Sequence, residues 1–172
     1  MQPLENKVRG AFRRTRSRAR LLSGLILLTS LFAGLLATAA EDSDFPRSAL
    51  EIRGAHGRQW FNIRIADTGA RQELGLMFQT RLAADEGMLF PQPKPQIMSM
   101  WMKNTYIPLD MLFIDSQGRI VCLLADTKPQ SLDILSCPKP VKAVLEIGGG
   151  EAGERGIRVG DKVIHAYFKP AH

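Results

Sequence analysis

The chain reads as a mainly β protein, a compact β-sandwich or partly closed barrel with one or two short helices, preceded by an N-terminal hydrophobic helix. Three observations predict this class. Apolar and polar residues alternate along about eight short runs. Glycine, proline, asparagine and aspartate punctuate those runs at the frequent intervals that strand-to-strand turns require. Only Gly69–Phe78 has helical spacing, and no G-x-G-x-x-G follows a strand, which argues against a nucleotide-binding α/β sheet.

At 172 residues the chain suits one domain with a real core. The formal charge of +6 first points to an anionic partner, but the basicity is local. Residues 1–40 carry seven basic side chains (Lys7, Arg9, Arg13, Arg14, Arg16, Arg18, Arg20) against Glu5 alone. The other 132 residues keep 16 of the 23 basic and 16 of the 17 acidic side chains, so their net charge is zero. Nucleic acid is therefore not an expected partner of the folded part.

Basic residues running into the uncharged stretch Leu21–Ala40 have the form of an export signal, and Ala37-Thr-Ala39 offers a small-residue cleavage site. Retained, the same stretch is a membrane anchor, since about 20 apolar residues span a hydrocarbon core of roughly 30 Å. Both readings place residues 41–172 outside the cytoplasm, periplasmic or secreted in one case and held at the inner membrane in the other. Residues 41–48 form a polar, proline-containing linker, and a single β-rich domain is expected over 49–172. An oxidising compartment allows Cys122 and Cys137 to pair, the alternative being one buried and one exposed thiol.

Within the domain, Leu50 and Ile52 alternate with Glu51 and Arg53, and Phe61, Ile63 and Ile65 with Trp60, Asn62 and Arg64. With Gly54-Ala-His-Gly57 between them, they predict a hairpin. Asp67 or Thr68 caps the helix Gly69–Phe78, whose apolar stripe is Leu74, Met77 and Phe78. A buried strand follows Asp85, then Pro91, Pro93 and Pro95 impose an extended linker. Strands are expected at 97–103, Leu109–Ile114, 119–125, 141–147 and 162–168, with a long polar connection over 126–140 and a glycine-rich turn over 148–160 that holds one helical turn.

The stretch Trp101–Asp115 sets an aromatic, a lysine, an amide and a carboxylate beside a very apolar strand. Alternation along 97–103 puts Met98, Met100 and Met102 on one face, and Trp101 with Lys103 on the other. Three thioethers are either core filler or a Cu(I) site. Trp101 beside Lys103 forms either a platform for a sugar ring or an edge cover with a lysine reaching water. Asn104 and Asp110 flank the turn at Pro108, where they satisfy backbone N–H groups or face a ligand. Glu146 sits between Leu145 and Ile147, a poor place for a free carboxylate, so it is expected to pair with Lys103 or Arg71, or to work with a raised pKa. Glu86 is a further candidate carboxylate. The three histidines show no ligand spacing, and no serine has a nucleophile context, so neither a metal nor a cofactor is expected.

Several motifs occur together in order: Glu73-Leu-Gly-Leu-Met77, Glu86-Gly-Met-Leu-Phe90, Trp101-Met-Lys-Asn-Thr105, Ile107-Pro-Leu-Asp110, Phe113-Ile-Asp115, Leu145-Glu146 and Gly160-Asp161. In these the chain resembles, over about residues 60–168, the bacterial and archaeal domain of unknown function family numbered 192. The resemblance implies a compact, mainly β domain, often behind a signal peptide or anchor, and supplies no reaction, substrate or catalytic residue. Met100 stands where the family usually has phenylalanine.

These readings converge on an exported β-domain that binds a small ligand or an envelope component such as a glycan without catalysis. Candidate contacts are Trp101, Lys103, Asn104, Asp110, Glu86 and Glu146. Alternatives are a hydrolase using Asp110 or Glu146 with Lys103, a Cu(I) protein using Met98, Met100 and Met102, and an interaction module of a membrane complex.

Overall fold

A computed structural model describes residues 45–168, within a compact unit spanning Asp44–His172. The expected leader, apolar segment and most of the linker lie outside the described residues. The alternation after Pro46 folds as a hairpin: β1 (Arg47–Gly54) pairs antiparallel with β2 (Gly57–Ile65), Gly54 opposite Gly57. Gly57 adopts φ +98°, a conformation that favours glycine, so the turn needs only Ala55 and His56. Phe45, ahead of β1, is already buried in the core.

Helix α1 (Gly69–Leu74) starts where expected, with the Thr68 hydroxyl accepting from the Arg71 N–H at 3.2 Å. It stops four residues early because Gly75 turns to φ +49° and returns its N–H to the Arg71 carbonyl. Phe78, also at positive φ, is thrown outward, so the expected stripe is wrong there and Leu76 is the residue that packs inward.

Seven strands make one open sheet. In addition to β1 and β2 they are β3 (Glu86–Gln96), β5 (Leu109–Ile114), β6 (Ile120–Thr127), β8 (Val141–Gly148) and β9 (Lys162–Ile164), in the order β6-β5-β8-β3-β2-β1-β9. Only β2 and β3 run parallel. β3 continues through the proline run expected to be a linker, and its register with β8 shifts between Pro91 and Gln96. The edge strands approach each other, with Val163 N–H donating to the Gly118 carbonyl and Ile120 N–H to the Asp161 carbonyl, but the sheet does not close.

The expected strand over 97–103 is the largest departure. Only β4 (Ser99–Met100) is extended and paired, with β7 (Leu135–Ser136) in a two-stranded ribbon. That ribbon is too small to make a sandwich. Helix α2 (Glu151–Glu154) is the single turn expected in the glycine-rich segment, and a 3-10 turn over Ala166–Phe168 replaces the end of the last expected strand.

Each sheet face carries its own core. One is built from Leu50, Ile52, Phe61, Ile63, Leu89, Leu112, Leu145 and Ile147, with Ala152, Ile157 and Phe168 over it. The other is built from Met88, Phe90, Met111, Phe113 and Val144, covered by Leu76, Met98, Met102 and Cys137 from the connecting segments. Burying one such aliphatic or aromatic side chain stabilises by about 1.5–3 kcal/mol.

A hollow over an unpaired carboxyl

β8 lies between β5 and β3, with side chains alternating between the two cores. Leu145 and Ile147 enter the first, which sends Glu146 to the second, directly across from Met88 of β3 and Met111 of β5. The Glu146 side chain is only 4% exposed, and it makes no ion pair or hydrogen bond among the described residues. Burial alone pushes its carboxyl up to about 8, because water that would solvate the anion is missing and no cation replaces it.

Glu146 opens instead onto a hollow of about 210 Å³. One wall is α1 and its continuation: Gln72, Glu73 and Leu74, then Leu76 and Met77. The opposite wall is the irregular segment carrying Met98, Ser99, Met100, Trp101, Lys103 and Thr105. β3 supplies Phe90, Gln92 and Gln96.

The three glutamines form a directed chain. Gln72 Nε2 donates to the Ala66 and Pro91 carbonyls at 3.0 and 2.9 Å, which fixes its amide orientation because both partners accept. Gln92 Nε2 donates to Gln72 Oε1 at 3.2 Å, and Gln96 Nε2 to Gln92 Oε1 at 2.7 Å. The chain therefore ends at the Gln96 amide oxygen.

At the rim, Trp101 is 43% exposed and the Lys103 ammonium sits over its ring, 4.9 Å from the centroid. Lys103 thus meets Trp101 as expected, while the expected Lys103–Glu146 pair does not form; Arg71 Nη1 bonds Asp67 Oδ1 at 2.7 Å. Asn104, at φ +56°, does not line the hollow but ties its walls: its carbonyl accepts from Phe78 N–H at 2.8 Å, and its amide reaches Met77 Sδ at 3.8 Å.

Two sequence candidates lie elsewhere. Asp110 pairs with Ile147 across the sheet and so occupies the face away from Glu146. Fully buried, it accepts from the Asp126, Gly150 and Ala152 N–H groups at 2.7, 3.0 and 2.8 Å, stapling β6 and α2 to β5. Glu86, at the start of β3, faces Arg47 at 3.8 Å. The methionines act as core filler, one of the two roles expected: Met98 and Met102 are buried in the second core, the Thr127 hydroxyl 3.2 Å from the Met102 sulfur, and Met100 packs against that core. The expected separation of faces fails, because without a regular strand Met98 and Met100 line the hollow together with Trp101 and Lys103. Met77 is the thioether that joins them, along with Gln72, Glu73, Gln92 and Gln96, none of which sequence reasoning selected. The motif Glu73-Leu-Gly-Leu-Met77 was the signal available for two of these.

A disulfide joins Cys122 of β6 to Cys137, just after β7, with Cα atoms 6.0 Å apart. Since β7 pairs with β4, the bridge fastens the wall that carries Met100 and Trp101. Among the described residues no three His, Cys, Asp or Glu side chains gather as a metal site, and no helix is long and apolar enough to cross a membrane.

An open, mainly β sheet with a hollow of about 210 Å³ on one face defines the structural class. The chain belongs to the DUF192 family, described as "Uncharacterized ACR", whose model matches residues 50–165. Among solved structures it is similar to a candidate transcription regulator from Sinorhizobium meliloti 1021, at 35% identity and a TM-score of 0.70, covering 72% of this chain and 96% of that one. It is also similar to a protein of unknown function from Novosphingobium aromaticivorans DSM 12444, at 39% identity and a TM-score of 0.68, covering 69% of this chain and 85% of that one. No curated protein matches.

Proposed function

We propose that this protein is an extracytoplasmic, non-catalytic module that binds a small ligand or a piece of an envelope component in the hollow over Glu146. One observation carries the reading: a carboxyl buried in the centre of a sheet, without a partner of its own, opens onto a space of about 210 Å³ rimmed by an exposed tryptophan and a lysine. An unpaired buried polar group costs stability, so its retention in a cavity favours a role toward something that enters. The size favours a small ligand, since the hollow lies below the usual range of roughly 300–1,000 Å³ for drug-sized ligands.

An extracytoplasmic location is supported by the basic leader followed by an apolar stretch, and by the disulfide, which is rare in reducing compartments. The hydrolase alternative, Asp110 or Glu146 with Lys103, loses Asp110 to the opposite sheet face; Glu146 and Lys103 do line the same hollow, but the Lys103 ammonium lies over the Trp101 ring and makes no ion pair with Glu146. The Sinorhizobium protein is described as a transcription regulator, but a DNA-binding reading has little support in this chain, because residues 41–172 carry no net positive charge to meet phosphates.

Trp101 is the natural reporter once Trp60, on β2, is changed to phenylalanine. Titrating that variant with monosaccharides, amino sugars, amino acids and small amines is expected to give a saturable change in emission with at least one of them. If none moves the emission, and a tryptophan placed at Ser99 to fill the hollow alters nothing, the ligand-binding reading falls.

A further inference from the structure

We propose that the hollow takes a small organic cation, with a primary ammonium against the Glu146 carboxylate and the carbon skeleton held between Met77, Met98, Met100 and the Phe90 ring. This names the ligand class of the same site and rests on the reading that the hollow binds a small ligand.

The polar groups decide the class. The Gln72–Gln92–Gln96 chain points its donors inward, toward the Ala66 and Pro91 carbonyls, and leaves an amide oxygen at its open end. Glu146 adds a carboxyl with no partner, and Glu73 a second carboxylate on the α1 wall. Gln92 and Gln96 each keep one N–H beyond the chain, so the two carboxyls, Glu146 and Glu73, set the class, and a ligand bearing several N–H donors satisfies them better than a carbonyl or ether does. Thioethers and aromatic faces are soft, polarisable surfaces that tolerate a cation and its alkyl chain.

Charge favours a cation over a neutral donor. The titratable groups lining the hollow are Glu146 from β8, Glu73 from α1 and Lys103 from the opposite wall. Met88 and Met111, which flank Glu146 across the sheet, carry no charge, and Arg64 of β2, buried on the same face beyond Met88, does not line the hollow. Lys103 is engaged over the Trp101 ring, so no cation lining the hollow pairs with Glu146. An ammonium there forms a charge-assisted hydrogen bond at a carboxyl that the surrounding core has largely desolvated. A bare metal ion suits the space less well, since Cu(I) needs thioethers converging on one point and the thioether expected to complete the set, Met102, is turned away to Thr127.

The test compares matched pairs by titration calorimetry on protein made from the full-length sequence: butylamine against 1-butanol, and glucosamine against glucose. The expected result is binding of the amine member at least about tenfold tighter at pH 7. Binding is also expected to release close to one proton, because the Glu146 carboxyl, held near 8 in the empty hollow, must ionise. Affinity for butylamine, whose own ammonium stays charged throughout, should accordingly rise from pH 6 to pH 8. Glu146→Gln should bring the amine down to the level of its alcohol, and Gln96→Lys, an exposed substitution that puts a second ammonium at the rim, should weaken the amine selectively. If the neutral members bind as tightly, with no proton release, the ammonium class is overturned while ligand binding stands. If neither member of either pair binds, the class is overturned too, and the Trp101 titration above decides the wider reading separately.

Discussion

Replacing Glu146 with glutamine should change how stability depends on pH, in a direction opposite to that of an ordinary surface carboxylate. In the unfolded chain the group ionises near its ordinary value of 4.5; in the folded protein burial holds the proton until about 8. Between those values the folded state binds the extra proton, so stability falls as pH rises. It is fully present below about 4.5 and lost by about 8. At about 1.4 kcal/mol per pH unit, that interval corresponds to a loss of roughly 5 kcal/mol, of which roughly 3 kcal/mol has gone by pH 7. Glutamine fills nearly the same volume and cannot ionise. The Glu146→Gln protein should therefore match the parent near pH 4.5 and exceed it by a few kcal/mol at pH 8, the difference cancelling every other titrating group. Urea unfolding without reductant, followed by far-UV circular dichroism from pH 4.5 to 8.5, measures this directly. A stability difference that stays flat across that range would refute the claim that Glu146 is buried without a partner.

Two further substitutions test what holds the site in place. Asp110→Ala leaves three buried N–H groups (Asp126, Gly150, Ala152) without their acceptor and should cost about 3–5 kcal/mol in the same unfolding assay. Ligand affinity of the folded fraction should stay unchanged, because Asp110 lies on the far side of the sheet; a selective loss of binding at full stability would return Asp110 to the site. Replacing both Cys122 and Cys137 with alanine opens a loop of 15 residues and should cost roughly 3 kcal/mol. It should also raise hydrogen exchange at Ser99–Trp101 more than in β5, and equal exchange in the two places would show that the bridge does not fasten the wall.

The sheet was legible where a run of residues carried its own pattern. β5 emerges over Leu109–Ile114 as expected, and the β1–β2 hairpin within two or three residues, because alternation and a glycine turn are local signals. The openness of the sheet was not legible. Whether seven strands close, or stack as two sheets, depends on pairings such as β2 with β3 and β8 with both β3 and β5, which join residues far apart in the chain. Residues 97–103 failed for a different reason. Their alternation was real, but the Pro91, Pro93 and Pro95 run did not separate two strands; β3 used it, and the following segment left the sheet to become the wall of a hollow.

The site shows the same division more sharply. Glu146 was conspicuous in sequence because a carboxylate inside a strand of valine, leucine and isoleucine must be either neutralised or used, and that local conflict needed no structure to see. Its expected partners failed because pairing depends on direction as well as distance: Lys103 sits over Trp101, and Arg71 bonds Asp67. Asp110 failed by parity alone, since it lies opposite Ile147, one residue out of step with Glu146. Conversely, glutamines at 72, 92 and 96 look ordinary in sequence, yet two backbone carbonyls at one end set the direction of all three amides. A carboxyl stands out locally, but only the assembled hydrogen bonds reveal which way the amides around it run. The proposed preference for a cation rests on the carboxyls of Glu146 and Glu73 meeting in one hollow, a convergence that no local pattern announces.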